Sequence, residues 1–315
     1  MLRKTMGESS GSVTDRLKGP VVPINMCFTE DGEVDFPAMR KYVDWMCEQK
    51  VPVLLLTYGS SEYNWLSDED IWRLTAELAE ETAGRSLFIT SSSWWPPKIC
   101  RGFLRHAERS GADGVKVQIN MWGTAAPNRE ELFRGYYDQI QDASPIPLLL
   151  WLNSGGGTSL SVDLVVEMAT RPQIVGAKND DHPFNYYYDL CRATKDEDFG
   201  VISGGTMTNF VFGHQVGSPA YLCTIAPFRA DIPLAFCELL DQRKYDEAWQ
   251  MVFRYEEPWV KGAGELGWLR SIKTAVYLYG GLPSDRIGGV WKGSTPDEVE
   301  KIRFLLEEVF GPIEK

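Results

Sequence analysis

The residue of this sequence best suited to covalent chemistry is a lysine at the end of a short apolar run. The run Ile174-Val175-Gly176-Ala177 directly precedes Lys178, and Pro172 lies just before it. Such a run predicts a strand buried on both faces, where an ammonium without partners is costly. Desolvation makes a lysine amine a nucleophile that can form a Schiff base with a carbonyl. The segment alone leaves an alternative open, because the lysine could reach the surface or pair with Asp180 or Asp181.

The run that ends at Lys178 is one of eight in a strand–helix alternation. Apolar, strand-like runs occur at 21–25, 51–57, 87–92, 115–119, 147–152, 174–178, 200–203 and 220–225. Amphipathic stretches follow them near 36–48, 67–84, 97–110, 128–143, 160–170, 183–195, 206–217 and 230–242. Eight such units without a domain-sized break predict an α/β fold, a parallel sheet closed into a (β/α)8 TIM barrel. Two Rossmann-like halves are the weaker interpretation, because no Gly-x-Gly-x-x-Gly follows an early strand.

Different kinds of sequence flank this alternation. The polar residues 1–18 predict a flexible N-terminal tail, and the barrel is expected over 19–243. Three further helical stretches occur near 244–262, 268–280 and 295–310, separated by Gly and Pro signals. They predict a C-terminal helical extension over 244–315, packed beside the barrel.

The carboxyl ends of the strands carry the working residues in a barrel of this type. The side chains at or near these predicted ends that are expected to serve the site are Ser60, Ser61, Trp122, Trp151, Asn153, Gly204, Thr206 and Thr224. Lys178 is the only cation at these ends, which favours a functional amine over a structural one. Trp122 and Trp151 are expected to line a pocket, whereas Trp94 and Trp95 are expected to pack under loops or form an interface.

Charge and composition limit the classes of partner. The net charge of the 315 residues is −12, which disfavours binding to nucleic acid or to an anionic membrane. No run approaches the roughly 18 apolar residues of a membrane span, and the first residues lack the apolar core of a signal peptide. The six cysteines form no Cys-x-x-Cys pair, which suggests reduced thiols in a cytoplasmic protein. The three histidines have no metal-ligand spacing, so no metal and no other cofactor is expected.

Several short motifs occur in order along roughly residues 19–312. They are Gly19-Pro20-Val21-Val22-Pro23, Asp31-Gly32-Glu33-Val34-Asp35, Gly59-Ser60-Ser61-Glu62, Gly111-Ala112-Asp113-Gly114-Val115, Ile174-Val175-Gly176-Ala177-Lys178 and Ser203-Gly204-Gly205. In this order and spacing they resemble the dihydrodipicolinate synthase and N-acetylneuraminate lyase family of Schiff-base aldolases. By this resemblance Lys178 forms an imine with pyruvate or another 2-oxo acid. Ser60 and Ser61 match the groups that hold the carboxylate of that acid, and the family implies a homodimer or homotetramer.

Three departures from the family pattern concern the proton relay and a second carboxylate. The relay threonine of the family falls on Gly59, or on Ser60 if the loop shifts by one residue. The two tyrosines of the relay fall on Trp151 and Trp122, and an indole N–H can donate a hydrogen bond but cannot shuttle a proton. Gly155-Gly156-Gly157-Thr158 replaces the arginine loop that binds a second carboxylate in the synthase. Dihydrodipicolinate synthesis itself is therefore not expected.

A narrower resemblance is to the hydratase-aldolase branch, which cleaves aryl-substituted ylidene-pyruvates. It is carried by Met121-Trp122 and by the spacing of Trp151-Leu152-Asn153, in which Asn153 matches an asparagine of that branch. The favoured interpretation is a Schiff-base lyase or hydratase-aldolase that acts on a 2-oxo acid through Lys178, with Ser60 and Asn153 as further catalytic candidates. A dehydratase acting on a 2-oxo sugar acid and a barrel that binds a metabolite without turnover remain as alternatives.

Overall fold

The structure is a computed structural model, and it describes residues 12–121, 129–153, 160–180, 183–289 and 293–313. Eight strands form a closed barrel in which each strand pairs in parallel with the next and the last pairs with the first. The strands are β1 (Gly19–Pro23), β2 (Val53–Leu55), β3 (Leu87–Ser91), β4 (Gly114–Val117), β5 (Leu148–Asn153), β6 (Ile174–Asp180), β7 (Gly200–Ser203) and β8 (Ala220–Leu222). The predicted (β/α)8 fold is thereby confirmed.

Helices alternate with the strands along the chain. They are α1 (Val13–Arg16), α2 (Phe36–Glu48), α3 (Asp68–Thr82), α4 (Pro97–Ser110), α5 (Arg129–Ile140), α6 (Val162–Ala169), α7 (Phe184–Ala193), α8 (Met207–Gln215) and α9 (Asp231–Asp241). Short 3₁₀ turns occur at Tyr63–Trp65 and Gln141–Ala143. Ser67 caps α3 in a reciprocal pair with Asp70, and Ser161 caps α6. Gly111 ends α4 at a φ of +86°, a conformation that glycine adopts without strain.

The helical extension packs beside α8 and α9. It consists of α10 (Tyr245–Met251), a π-helical turn (Val252–Glu256), α11 (Glu257–Leu266), α12 (Trp268–Leu278) and α13 (Pro296–Phe310). The buried Glu256 accepts hydrogen bonds from the backbone N–H groups of Met207 and Thr208, at 2.5 and 2.9 Å. These N–H groups open α8 and have no partner within the helix. The extension therefore completes the hydrogen bonding of a barrel helix.

The N-terminal segment departs from the prediction of a flexible tail over residues 1–18. Residues 1–11 lie outside the described residues, but Ser12 caps the short helix α1, and Leu17 is fully buried. Leu17 joins the apolar cluster inside the barrel and packs against Gly200, where an added Cβ would lie 2.8 Å from Leu17 Cδ2. Arg16 pairs with Asp113 at 2.6 Å. The prediction was wrong for residues 12–18. It followed the polar composition of the segment, whereas the buried Leu17 fills the end of the barrel.

Two layers of apolar residues surround the strands. The inner cluster fills the barrel interior with Leu17, Val21, Val53, Leu55, Leu87, Ile89, Leu149, Val175, Ile202 and Ala220. The larger outer cluster lies between the strands and the helices. Side chains alternate between the two along each strand, so the inner cluster identifies which residues face the interior. Among the described residues, no helix is long and apolar enough to cross a membrane.

Candidate active site

Lys178 lies inside the barrel. It pairs in register with Ile202 of the inner cluster, so its side chain faces the interior, and only 3% of the residue is exposed. Both carboxylate oxygens of Asp180, two residues further along β6, contact Lys178 Nζ. The sequence left open whether Lys178 is a functional amine or an ion-pair partner. In the structure Lys178 is both buried inside the barrel and paired with Asp180.

Asp180 is ionised although it is buried. Burial alone would raise its pKa, but the charge of Lys178, the hydrogen bonds from Lys178 and a hydrogen bond from Trp151 outweigh burial and leave the pKa below its ordinary value. Trp151 Nε1 donates to Asp180 Oδ2 at 2.7 Å. The carboxylate therefore has two donors, one of which is an indole that cannot lose its proton.

Aromatic rings surround the indole of Trp151. Its ring centroid lies 5.3 Å from that of Trp94 and 6.0 Å from that of Tyr58. Trp151, which is predicted to line a pocket, thus lies beside Asp180 in an aromatic cluster. Trp94, which is expected to pack under loops or form an interface, belongs to the same cluster. Trp95 does pack outside the site: its ring lies 4.9 Å from that of Phe103, and its Nε1 donates to Asp68 at 2.7 Å.

Gly204 lies against the carboxylate of Asp180. A Cβ at this position would overlap with Asn179 O and Asp180 Oδ1, so no other residue fits without displacing β6 or the carboxylate. The sequence predicted a substrate contact at Gly204. In the structure its missing side chain gives room to Asp180.

A second lysine, Lys116 of β4, also faces the barrel interior. It pairs in register with Ser91, which lies two residues beyond the interior Ile89 on β3. Lys116 is fully buried, its Nζ has no hydrogen-bond partner among the described residues, and this Nζ lies 4.5 Å from the centroid of the Trp151 ring. Burial and the charge of Lys178 lower the pKa of Lys116 well below its ordinary value, and Asp180 only partly opposes this. These surroundings therefore favour the neutral amine over the ammonium.

The turn after β2 carries the two predicted serines. Ser61 is fully buried: its Oγ donates to Ile24 O at 2.6 Å and accepts from the N–H of Thr57 at 3.0 Å, and its own N–H donates to Thr57 O. Ser60 is half-buried, and its backbone oxygen accepts from Asn25 Nδ2 at 3.4 Å. The hydroxyl of Ser61 thus holds the turn that presents Ser60 at the mouth of the barrel.

Glu62 ends this turn and ties it to the helical extension. Its φ is +50°, and its carboxylate contacts Lys273 Nζ of α12 at 2.5 Å and accepts from Gly288 N–H at 2.8 Å. The Lys273 ammonium also donates to Arg286 O and lies 4.9 Å from the Phe28 ring centroid. Burial raises the pKa of Glu62 and lowers that of Lys273, each against the attraction of the other. Glu62 therefore anchors the loop.

The remaining predicted residues have different environments. The hydroxyl of Thr206 caps α8 by accepting from Asn209 N–H at 3.1 Å, whereas Thr224 Oγ1 is buried with no hydrogen-bond partner among the described residues. Asn153 ends β5 in register with Asp180. Trp122 and the glycine run at 155–157 lie outside the described residues. In the described part of the chain, no group of three or more His, Cys, Asp or Glu could hold a metal ion.

The comparisons with known proteins decide the family. The family model described as the dihydrodipicolinate synthetase family matches residues 16–284. The chain belongs to this family.

Two curated relatives and one solved structure illustrate the range of the dihydrodipicolinate synthetase family. A 4-hydroxy-tetrahydrodipicolinate synthase of Gluconacetobacter diazotrophicus is 26% identical over 217 residues, 68% of this chain and 72% of that protein. An L-2-keto-3-deoxyarabonate dehydratase of Azospirillum brasilense is 28% identical over 162 residues, 51% of this chain and 52% of that protein. The crystal structure of an E. coli K12 prophage protein of the dihydrodipicolinic acid synthase family, in complex with pyruvate, superposes with a TM-score of 0.82 at 19% identity and covers 93% of this chain and 98% of that one.

Two site residues escaped the sequence analysis of this dihydrodipicolinate synthetase family member. Asp180 entered only as an alternative partner for Lys178, and Lys116 was not considered. A signal existed for Lys116: in Gly114-Val115-Lys116-Val117-Gln118 the polar residues alternate with valines inside a strand of a barrel, where both faces are buried. A cation at such an alternating position has to face the interior.

Proposed function

We propose that this chain is a lyase that forms a Schiff base through Lys178 with pyruvate or a related 2-oxo acid. The observation that carries the proposal is the amine of Lys178, buried inside the barrel and in contact with both oxygens of Asp180. An amine shielded from water and close to a carboxylate can lose its proton to that carboxylate and attack a carbonyl. The structural neighbour solved with pyruvate supports the choice of a 2-oxo acid as substrate.

The proton movements of imine formation can be assigned to Asp180. The Lys178 ammonium gives one proton to the carboxylate, and the free amine attacks the carbonyl carbon to form a carbinolamine. Asp180 then carries protons from nitrogen to the departing oxygen, which leaves as water. The protonated imine that remains accepts an electron pair when the neighbouring carbon–carbon bond breaks. Trp151, which donates to Asp180, keeps the carboxylate in place during both transfers.

The carboxylate of the substrate needs donors at the mouth of the barrel. Ser60 and the backbone of its turn are proposed to supply them, with the hydroxyl of Ser61 as the support of that turn. Thr224, whose hydroxyl has no partner in the described structure, is proposed to contact the substrate, together with Asn153, Thr206 and Trp122. The assembly is proposed to be a homodimer or homotetramer, as the family resemblance implies.

A second candidate is dehydration of a 2-oxo sugar acid through the same imine. The observation that favours it is the 28% identity to the L-2-keto-3-deoxyarabonate dehydratase over about half of each chain. The aromatic cluster of Tyr58, Trp94 and Trp151 favours the first candidate, because a sugar acid needs polar walls whereas an aryl ylidene-pyruvate can stack on these rings. True dihydrodipicolinate synthesis is not proposed, because residues 155–158 replace the arginine that binds a second carboxylate.

Reductive trapping tests the proposal. The protein is incubated with pyruvate and borohydride, and the peptide that contains Lys178 is examined by mass spectrometry. We expect the mass of the reduced pyruvate adduct on Lys178 in the native chain and in Lys195→Ala, which removes a half-exposed lysine, and no adduct in Lys178→Ala. If the native peptide stays unmodified, the proposed Schiff base is excluded, and the alternative of a barrel that binds a metabolite without turnover remains. Aryl ylidene-pyruvates and deoxy sugar acids are then supplied separately, and the class of compound that is consumed distinguishes the two candidates.

A further inference from the structure

The amine of Lys116 is contiguous with the groups around Lys178. Its Nζ lies over the ring of Trp151, the edge of that ring donates to Asp180, and Asp180 contacts Lys178. Trp151 pairs in register with Lys178, and Lys116 pairs with Leu149 two residues earlier on the same strand. The Lys116 stem therefore starts below the level of Lys178 in the barrel and carries its amine toward the indole.

Carbon–carbon cleavage on an imine needs a base, and the other side chains of the described site fit this role less well than Lys116. The indole of Trp151 cannot accept a proton at Nε1. The hydroxyl of Tyr63 donates to Ser91 O, and that of Tyr58 donates to Asn64. Asp180 ends the proposed imine formation as the carboxylate beside the protonated imine, whose positive charge it balances. Lys116 is a fully buried amine without a partner in the described interior, and burial favours its neutral form, which has a free lone pair.

We propose that Lys116 is the group that takes and returns the proton of the bond-breaking step, an inference that rests on the proposed imine chemistry of Lys178. The β-hydroxyl proton of the imine passes to the lone pair of Lys116 Nζ, the carbon–carbon bond electrons move into the protonated imine, and an aldehyde leaves. The Lys116 ammonium then returns that proton to the methylene carbon of the enamine, whose double-bond electrons form the new carbon–hydrogen bond. The protonated imine is regenerated, and no external oxidant or reductant is required.

A role in binding the substrate carboxylate fits Lys116 less well. Such a role requires a permanent positive charge, and the environment of Lys116 disfavours that charge through burial and through the neighbouring Lys178. The ionisable groups whose charge acts on it are Lys178 and Asp180, both on β6, while β5 presents the ring of Trp151 and β3 presents Ser91. A neutral amine in this position is a proton acceptor.

The exchange of pyruvate methyl hydrogens for deuterium isolates this step without any knowledge of the aldehyde. The imine of pyruvate loses a methyl proton to the base and regains deuterium from solvent, which NMR follows directly. We expect Lys116→Met to retain borohydride trapping at Lys178 while exchange falls by about 10²–10⁴-fold, the usual contribution of a positioned acid–base group. Lys116→Gln should behave in the same way, and it keeps the test valid if Lys116→Met fails to fold. The control Lys195→Met should exchange like the native chain.

The pH profile adds a readout that a merely structural role would not change. The exchange rate of the native chain should fall as pH falls through the pKa of Lys116, since only the neutral amine accepts a proton. This dependence on pH should be absent in Lys116→Met. Undiminished exchange in both Lys116 variants would overturn the inference, as would trapping without exchange in the native chain. A higher pyruvate requirement with unchanged exchange per trapped imine would assign Lys116 to carboxylate binding instead. Failure of native trapping would overturn the proposed function itself.

Discussion

The indole N–H of Trp151 can donate a hydrogen bond but can neither accept nor release a catalytic proton. At the position where the family resemblance expects a tyrosine, this residue directs its N–H to Asp180 instead. In the proposed mechanism, proton transfer therefore moves from a hydroxyl on β5 to a carboxylate on β6, two residues beyond Lys178. Trp151 becomes a positioning residue.

Replacement of Trp151 tests this positioning role. Trp151→Phe keeps an aromatic ring but removes the N–H, and a hydrogen bond to a charged group contributes about 1.5–3 kcal/mol. We expect the free energy of unfolding to fall by about that amount and borohydride trapping at Lys178 to slow. Trp95→Phe is the matched control, because its N–H also donates to an aspartate at 2.7 Å but outside the site. Equal trapping rates in the two variants would argue against the role of Trp151.

Asp180 gives a prediction about pH. Its folded-state pKa lies below the unfolded value of about 3.9, so its stabilising contribution is present above that pH and is lost as pH falls through the folded pKa. At pH 7, Asp180→Asn leaves Lys178 buried without its carboxylate, and we expect a loss of about 3–5 kcal/mol of unfolding free energy. Urea denaturation should show the unfolding free energies of the two proteins converging below pH 4. A difference in unfolding free energy that stays constant to lower pH would contradict the ion pair.

At the residue scale the sequence predicts Lys178 as the candidate nucleophile, but not its full environment. Lys178 stands out because it ends an apolar run, which is a local signal. The choice between Asp180 and Asp181 depends on which residue shares the face of Lys178, and the structure describes only Asp180. The contact between Lys116 and Trp151 joins two strands, so it depends on barrel register, which no local pattern contains.

At the scale of elements, helix α12 of the extension reaches the loop after β2 through one buried ion pair. Lys273 and Glu62 are both nearly inaccessible to water, and the pKa of each is shifted by burial against its charged form. Burial thus costs more than the mutual attraction returns, so the pair is better understood as fixing the position of the loop than as a source of stability.

A double-mutant cycle tests this interpretation. Lys273→Met should cost about 3–5 kcal/mol, because Glu62 is left buried without its partner. Glu62→Gln/Lys273→Met should lose much less than the sum of the single changes, since the introduced amide would be neutral and could still accept from Gly288 N–H. Chemical denaturation gives the three values. Additive losses would show that the two side chains do not act as a pair.

The sequence predicted the order and approximate bounds of the elements better than their connections. Each helix carries its own signals, such as the cap at Ser67 and the stop at Gly111, so α3 and α4 could be located without tertiary information. The π-helical turn at Val252–Glu256 could not, because it places Glu256 against the start of α8, some 50 residues earlier in the chain. Contacts across that separation have no short-range signal.

At the scale of the whole molecule, the two ends of the barrel have opposite roles. Lys116, Lys178 and Asp180 lie toward the carboxyl ends of the strands, while α1 and Leu17 close the other end against Gly200. Gly19 N–H also donates to Pro219 O, which fastens the start of β1 to the segment before β8. Closure of the ring and burial of Leu17 therefore occur at the same place.

Truncation of Leu17 measures the contribution of this closure. Leu17→Ala removes a fully buried side chain from the inner cluster, and we expect a loss of about 2–5 kcal/mol of unfolding free energy. Val13→Ala, at the start of the short helix that Leu17 follows and only half-buried, should cost about 1 kcal/mol. Denaturant titration of both variants checks the difference. Equal small effects would mean that α1 rests on the barrel without stabilising it.

The bare backbone at Gly204 has a consequence for how this site can change. Because a methyl group there would collide with Asp180, the residue directly after β7 determines where negative charge can lie beside Lys178, although it has no ionisable group. Gly204→Ala would keep every acid and base of the barrel and yet separate Lys178 from its counterion. The hydrogen atom that Gly204 has in place of a side chain thus affects the electrostatics of the site as the charged side chains do.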